Sequence, residues 1–206
     1  MLRRRNFSTG SKLLVSVVLI GIAATIGSLS TFASFTSSTS AAMSQGTGTT
    51  SIALGATGAS TNRLNINATD VAPGDTMQRS FDLTNSGSLD LASVTLTTTA
   101  TVTSLLDSDA TNGLQMVIDR CSVAWTESGT SPAFTYTCGG TTSSVVASRA
   151  VIGSAISLSN LGLTASTVNR LRLTLTLPST AGNSLQGLSS TIQFAFTGTQ
   201  RSATNK

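Results

Sequence analysis

Apolar side chains return at every second position in short stretches along this chain. The pairs are Ile52 and Leu54, Leu64 and Ile66, Phe81 and Leu83, and Val94 and Leu96, followed by the runs Leu171, Leu173, Leu175, Leu177 and Ile192, Phe194, Phe196. The residues between them are mostly Ser, Thr, Asn, Gln or Arg. A step of two places successive apolar groups on one side of an extended backbone, so each stretch predicts a strand with one buried and one wet face. Turn-forming residues separate the stretches: Pro73-Gly74-Asp75, Asn85-Ser86-Gly87, Asn112-Gly113, Gly139-Gly140 and Ala181-Gly182-Asn183. They supply the fixed or positive φ that a reversal needs. The region from Leu158 to Ala165 fits either a strand or a short helical turn. The sum is an all-β chain, an antiparallel β-sandwich.

Ser and Thr make 68 of the 206 residues, and there are only 3 Pro. A glycosylated or disordered stalk has Ser and Thr in such numbers, but it is Pro-rich and lacks periodic aliphatics. The chain is long enough for one domain with a single core.

The N-terminal region follows a different rule. Arg3, Arg4, Arg5 and Lys12 precede the mostly aliphatic run from Leu13 to Gly27, and small residues follow up to Ser34. This order of charges, apolar centre and small-residue exit is that of a helical secretory signal peptide over residues 1–34. The alternative is a retained membrane anchor, since residues 13–33 have about the length that spans a bilayer, although Ser16, Thr25, Ser28, Ser30 and Thr31 dilute it. Four of the 12 basic residues lie in this segment. The remaining basic residues balance the 8 acidic ones, so no basic patch is left to suggest nucleic acid. Low net charge favours association between copies.

The two cysteines, Cys121 and Cys138, flank a candidate hairpin. With residues 127–132 as its loop, symmetric pairing places Trp125 opposite Phe134, Val123 opposite Tyr136 and Cys121 opposite Cys138, all on one face. Directly opposed cysteines in an exported chain predict a disulfide.

Three blocks carry a family resemblance: the Phe32-Ala33-Ser34-Phe35 junction, the fragment VAPGDTMQRSFDLTNSGSLDL from Val71 to Leu91, and the late run from Gln186-Gly187 to Gln200. In this order they resemble the TasA/camelysin family of secreted biofilm-matrix fibre proteins. The middle of the chain, residues 100–167, shows no such likeness, and the cysteine hairpin within it is not a feature expected across the family. The resemblance implies a jelly-roll-like sandwich and a leader cut between Ser34 and Phe35 by a SipW-type signal peptidase. It also implies assembly into fibres by donor-strand exchange, with Phe35, Ala41 and Met43 on the donating segment. The organisation is then a signal peptide (1–34), an extended N-terminal segment (35–50), a sandwich domain (51–200) and a tail (201–206). In the family-motif turns, Pro73, Gly74, Asp75, Asn85 and Gly87 are the residues of interest.

An extended peptide from a neighbouring copy satisfies the unpaired backbone of an edge strand, and a head-to-tail contact of this kind does not close. The segment after Phe35 has few apolar anchors, so main-chain hydrogen bonds dominate its contribution. Its alternative role is a flexible linker.

The camelysin label brings in metallopeptidase activity. A zinc protease normally uses His ligands and a Glu base, and this chain has 0 His and the single glutamate Glu127, expected in the hairpin loop. Without His there is no Ser-His or Cys-His relay either. The neighbouring carboxylates Asp107 with Asp109 and Asp70 with Asp75 are expected to be turn formers. The stretch from Asp107 to Gly113 resembles a calcium loop one residue too long and without its final Glu, which leaves weak calcium binding open. Asn67-Ala68-Thr69 fits a glycosylation acceptor, and Leu177-Pro178 reads as a strand end rather than a sortase substrate.

The expectation is a secreted or cell-surface fibre subunit with no cofactor and no nucleic acid, self-associating head to tail, and touching membrane only through an uncleaved leader. A monomeric adhesin or binding module is the alternative, and a secreted metallopeptidase a distant third.

Overall fold

The computed structural model of the chain describes residues 49–65 and 71–203. The leader, the junction at Ser34 and Phe35, Ala41, Met43, Ile66, the Asn67-Ala68-Thr69 site and Asp70 lie outside the described residues. Ten strands carry the fold: β1 (Ile52–Leu54), β2 (Thr76–Asn85), β3 (Leu91–Val102), β4 (Gln115–Cys121), β5 (Trp125–Thr130), β6 (Ala133–Cys138), β7 (Thr142–Ala150), β8 (Gly153–Ser157), β9 (Val168–Thr176) and β10 (Thr191–Gln200). Among the described residues a short α-helix, α1 (Leu105–Ser108), follows β3, and a single 3-10 turn spans Asn183–Leu185.

The strands form a five-stranded sheet in the order β1-β2-β9-β4-β7, a three-stranded sheet in the order β10-β3-β8, and the separate hairpin β5-β6. All pairings are antiparallel. From β2 to β4 and again from β7 to β10 the chain crosses between the two large sheets at every connection. This wiring makes the domain a jelly-roll-like antiparallel sandwich.

The period-two pattern decides what faces inward. Phe81 and Leu83 of β2, Leu171 and Leu173 of β9, and Met116 and Ile118 of β4 form one inner face. Val94 and Leu96 of β3, Ile156 of β8, and Phe194 and Phe196 of β10 form the other, and all join a single core. The rings of Phe81 and Phe196 meet between the sheets, centroids 5.4 Å apart and planes at 40°. Each such buried side chain contributes roughly 1.5–3 kcal/mol through apolar burial. Thr98 continues the inward row of β3 and is tolerated there because its hydroxyl donates to the Val151 carbonyl at 2.6 Å.

Two expectations are corrected. Leu64 is not in a strand but in a turn. Just before it, Asn62 is joined by a single bridge to Phe81, its side-chain amide donates to the Gly55 carbonyl at 3.0 Å and its Oδ1 accepts from the Leu64 N–H at 3.4 Å. An asparagine that bonds its own neighbourhood gives the backbone an alternative to a ladder. The second correction is the hairpin register. Trp125 lies opposite Cys138, Glu127 opposite Tyr136 and Gly129 opposite Phe134, so the pairing is displaced and the loop shrinks to Ser131 and Pro132. Glu127 is therefore in a strand, not a loop. Val123 lies in neither strand of the hairpin.

Cys121 ends β4, where it pairs with Thr142 of β7, and the ladder continues one step because Ser122 N–H donates to the Thr141 carbonyl at 3.0 Å. The stretch between Ser122 and Thr141 then folds back over the outer face of the five-stranded sheet. Trp125 Nε1 donates to the Arg170 carbonyl at 3.1 Å, and Tyr136 N–H donates to Gln78 Oε1 at 3.0 Å. The disulfide Cys121–Cys138 fastens it, with Cα atoms 5.7 Å apart.

The Cys121→Ser variant is expected to lose about 2–5 kcal/mol of stability, the usual cost of removing a bridge from a small exported domain. Chemical denaturation under oxidising and reducing conditions checks it. Identical midpoints in the two conditions exclude a stabilising bridge.

Candidate functional site

The two family-motif turns hold the two ends of β2. In the first, Gly74 takes φ +95°, a conformation that side chains other than hydrogen rarely permit. Its N–H donates to the Leu177 carbonyl at 2.8 Å, the Leu177 N–H returns a bond to the Asp75 carbonyl at 3.1 Å, and Asp75 Oδ2 accepts from the Ala72 N–H at 2.8 Å. The start of β2 is thereby tied to the end of β9. Pro73 opens this turn, and its lack of an N–H costs nothing there.

In the second turn Asn85 is buried, 2% exposed. Its amide donates to the carbonyls of Leu89 at 2.9 Å and Leu163 at 3.1 Å, while its Oδ1 accepts from the Gly87 N–H at 3.1 Å. Gly87 is required by close approach: a Cβ there would collide with the Thr49 carbonyl oxygen. That carbonyl accepts from Ser88 N–H at 3.0 Å, and Ser86 N–H donates to the Ser51 carbonyl at 2.9 Å. The turn thus fixes where the N-terminal part of the chain joins the sandwich.

Asp107 and Asp109 are brought together in sequence but serve separate loops. Asp107 caps α1, accepting from Ser104 N–H at 2.7 Å, the Thr103 hydroxyl at 2.8 Å and the Ser190 hydroxyl at 2.6 Å. Burial pushes its carboxyl up, and the hydrogen bonds from Ser190, Ser104 and Thr103 outweigh that and hold it below the ordinary carboxylate range. Asp109 is lowered by bonds from the Asn112 and Thr111 backbone, each at 2.9 Å. Asp75 serves the first motif turn. Among the described residues no group of three or more His, Cys, Asp or Glu is placed to share a metal ion.

An end strand presents a row of unpaired backbone groups unless something covers it. On the β1 and β2 side, β1 spans only three residues, and the chain beyond it continues as a strap along β2. Gly55 N–H donates to the Asp82 carbonyl at 3.2 Å, Asp82 N–H to the Thr61 carbonyl at 2.7 Å, and Arg63 N–H to the Ser80 carbonyl at 2.8 Å. The strap is clamped through Arg63, which forks onto Glu127 at 2.9 and 2.6 Å and stacks over the Phe134 ring at 4.7 Å. Tyr136 donates to the same carboxylate at 2.8 Å. On the β7 side, the Val145 carbonyl accepts from Ser159 N–H at 3.2 Å and its hydroxyl at 3.0 Å, while Asn160 Nδ2 donates to the Ser144 carbonyl at 2.7 Å.

The other sheet has three strands. Its end strands are β8, with five residues, and β10, with ten. Where β10 begins, a cavity of about 510 Å³ lies between the sheets, lined by apolar Met77, Leu173, Leu175, Ile192 and Phe194 and by polar Arg79, Ser189, Ser190 and Thr191. Leu64 and Leu188 stand at it as well, and Leu188 is 38% exposed. The cavity and the clamp residues Arg63 and Glu127 were not identified from sequence. The lone glutamate was the one available signal for the clamp.

Residues 9–205 of the chain match a family model described as camelysin metallo-endopeptidase. No curated protein matches the chain.

Glu127 is held below its ordinary range chiefly by the hydrogen bond from Arg63. A carboxylate with a depressed folded pKa adds stability that is full above its unfolded value, near 4.3 for a glutamate (about, by model peptides), and is lost as pH falls through the folded value. Asp107 and Asp109 act in the same direction. Asp82, raised by burial, opposes them. Thermal melts are expected to fall on acidification through this range, and Glu127→Gln should make the fall shallower. Parallel profiles for the two proteins overturn the clamp as an ionic one.

Proposed function

Because the chain belongs to the camelysin metallo-endopeptidase family, we propose that it is the structural subunit of an extracellular or cell-surface filament, joined copy to copy by strand addition. In this proposal a SipW-type signal peptidase cuts between Ser34 and Phe35, and the freed segment, with Phe35, Ala41 and Met43, is the donor. The observation that supports this reading is the antiparallel jelly-roll-like sandwich itself, two open sheets of five and three strands among the described residues, the larger with chain laid along both its edges. The acceptor is a sheet edge of the neighbouring copy. Backbone pairing supplies affinity there, and alternate side chains supply register. The contact is head to tail, so repetition extends rather than closes.

The proposed subunit has no peptidase chemistry of its own. The chain lacks histidine, its single glutamate is engaged by Arg63 and Tyr136, and Asp107 and Asp109 are consumed as loop acceptors. A carboxylate committed to an arginine fork is a poor general base, because the depressed pKa weakens its pull on a proton. Casein cleavage abolished by a chelator overturns this half of the proposal.

Deleting residues 35–49 is expected to leave a folded sandwich that forms no fibres in negative-stain microscopy, whereas the secreted parent forms regular ones. Persistent monomers of the parent at high concentration favour a surface binding module instead. Normal fibres from the truncated protein overturn the donor assignment.

A further inference from the structure

Three parts of the domain are linked in series: the bridge Cys121–Cys138, the hairpin β5–β6, and the strap along β2. Cys121 is buried at the end of β4, a strand with neighbours on both sides, and Cys138 is the last residue of β6. The hairpin belongs to neither large sheet. At its root Ser122 and Thr141 bond to each other. Further out it meets the five-stranded sheet through side chains: Trp125 Nε1 on the Arg170 carbonyl, Gln78 Oε1 under the Tyr136 N–H, and Arg172 Nη1 on the Tyr136 carbonyl at 3.2 Å. Among the described residues no backbone ladder joins it to that sheet, so the covalent tie at Cys138 fixes where β6 lies.

The strap ends on this hairpin. Arg63 gives Nε and Nη2 to the Glu127 carboxylate and Nη1 to the Gly58 carbonyl, and the side chains of Arg63 and Glu127 are each only 20% exposed. Its backbone N–H meets the Ser80 carbonyl, and two residues earlier the Thr61 carbonyl takes the Asp82 N–H. The earlier part of the strap has holds of its own, since the Ser80 hydroxyl donates to the Ser60 carbonyl at 2.5 Å and Asn62 is buried. What the hairpin governs is the Arg63 end, over Ser80.

We propose that the Cys121–Cys138 bridge is a redox switch on the β2 edge: oxidised, it keeps Glu127 where Arg63 is clamped over Ser80, and reduced, it lets the hairpin loosen and the Arg63 end of the strap lift from β2. The reductant is an external dithiol. One of its thiolates attacks Cys138, the more exposed of the two residues, and Cys121 leaves as a thiolate. The second thiol then displaces Cys138. One S–S bond breaks in the protein and one forms in the dithiol, and two electrons and two protons pass to the cysteines. Once the strap lifts, the Ser80 carbonyl and the Asp82 N–H are edge groups that an added strand can pair with. The switch lies within one chain and works whether or not the chain builds fibres.

Trypsin reads it at Arg63. To be cut there, the chain must leave Glu127 and Ser80 and lie extended in the protease, so cleavage follows the population in which that end of the strap is open. Arg170 and Arg172, in the middle of the five-stranded sheet, become accessible only when the sheet itself comes apart. They are the internal control. Brief digestion followed by intact-mass measurement compares the oxidised protein, the same protein reduced with dithiothreitol that is removed before digestion, and Cys138→Ser. The first cut after Arg63 is expected to be at least about tenfold faster in both unbridged forms, as a local opening requires, with no first cut after Arg170 or Arg172. Glu127→Gln with the bridge intact should be cut after Arg63 as readily as the reduced parent; should Cys138→Ser not fold, this variant and the dithiothreitol arm decide. Cleavage after Arg63 that reduction leaves unchanged overturns the proposal. Cuts after Arg170 or Arg172 at the same pace also overturn it, because the bridge is then a staple for the whole domain. A Glu127→Gln protein as resistant as the oxidised parent overturns it by removing the route through Arg63. Fibre formation enters none of these outcomes, so the filament proposal stands or falls separately.

Discussion

The organising constraint in this domain is the backbone of its end strands. A sandwich of two open sheets has four edges, and each exposes N–H and C=O groups that must find partners or invite another chain. Here the larger sheet is closed by its own sequence: the strap at Gly55, Thr61 and Arg63 pairs with β2, and Ser159 with Asn160 takes the carbonyls of β7. Neither closure uses a full strand. A few hydrogen bonds per edge are enough to displace a would-be partner, because pairing is cooperative along the ladder and an interrupted one offers no continuous register.

The hairpin of β5 and β6 makes that closure firm. It buries the rings of Phe134 and Tyr136, yet isolated two-stranded hairpins are marginal in water. Its stability comes from the covalent tie at Cys138 and from two arginines that each combine a carboxylate with an aromatic ring. Arg63 joins Glu127 and Phe134. Arg172 donates to Asp119 at 2.8 Å and lies 4.6 Å from the Trp125 ring. Solvent-exposed ion pairs contribute at most about 1 kcal/mol each, but these are largely buried, and a guanidinium held flat by a ring has less freedom to lose. The chain has few charges, and these four are placed where they hold one layer onto the next.

What was legible in the sequence follows from this. Alternation located β2, β3, β9 and β10 with their buried faces, since each lies in a sheet with one face on the core. It did not single out β4 or β7. Their pairing is irregular, with register shifts near Ile118, and Val145 and Val146 are both buried although they are neighbours. It misplaced Leu64 because Asn62 captures local backbone. The Cys121–Cys138 pair was anticipated from a hairpin that opposes the cysteines directly, yet Cys121 sits on β4 and meets Cys138 across a fold-back. Parity survived this error: Trp125 still shares a face with Phe134 and Tyr136, because a shift of even length leaves the faces unchanged. The cavity was invisible, since its lining comes from β2, β9, β10 and loops far apart in sequence.

The residues that carry the family likeness bear on function through where they act. Gly74 and Asp75 lock one end of β2 to β9, and Asn85 and Gly87 build the other end into a seat for Thr49 and Ser51. A side chain that only stabilised a core would need no such close backbone passage. Gly87 gives up its Cβ so that an incoming strand can approach within hydrogen-bonding distance, a cost of roughly 0.5–1 kcal/mol in backbone freedom. The sandwich thus spends stability on holding Thr49 and Ser51 against this turn. An enzyme would concentrate such backbone precision around a reacting group. Here it surrounds the place where Thr49 and Ser51 pass the end of β2.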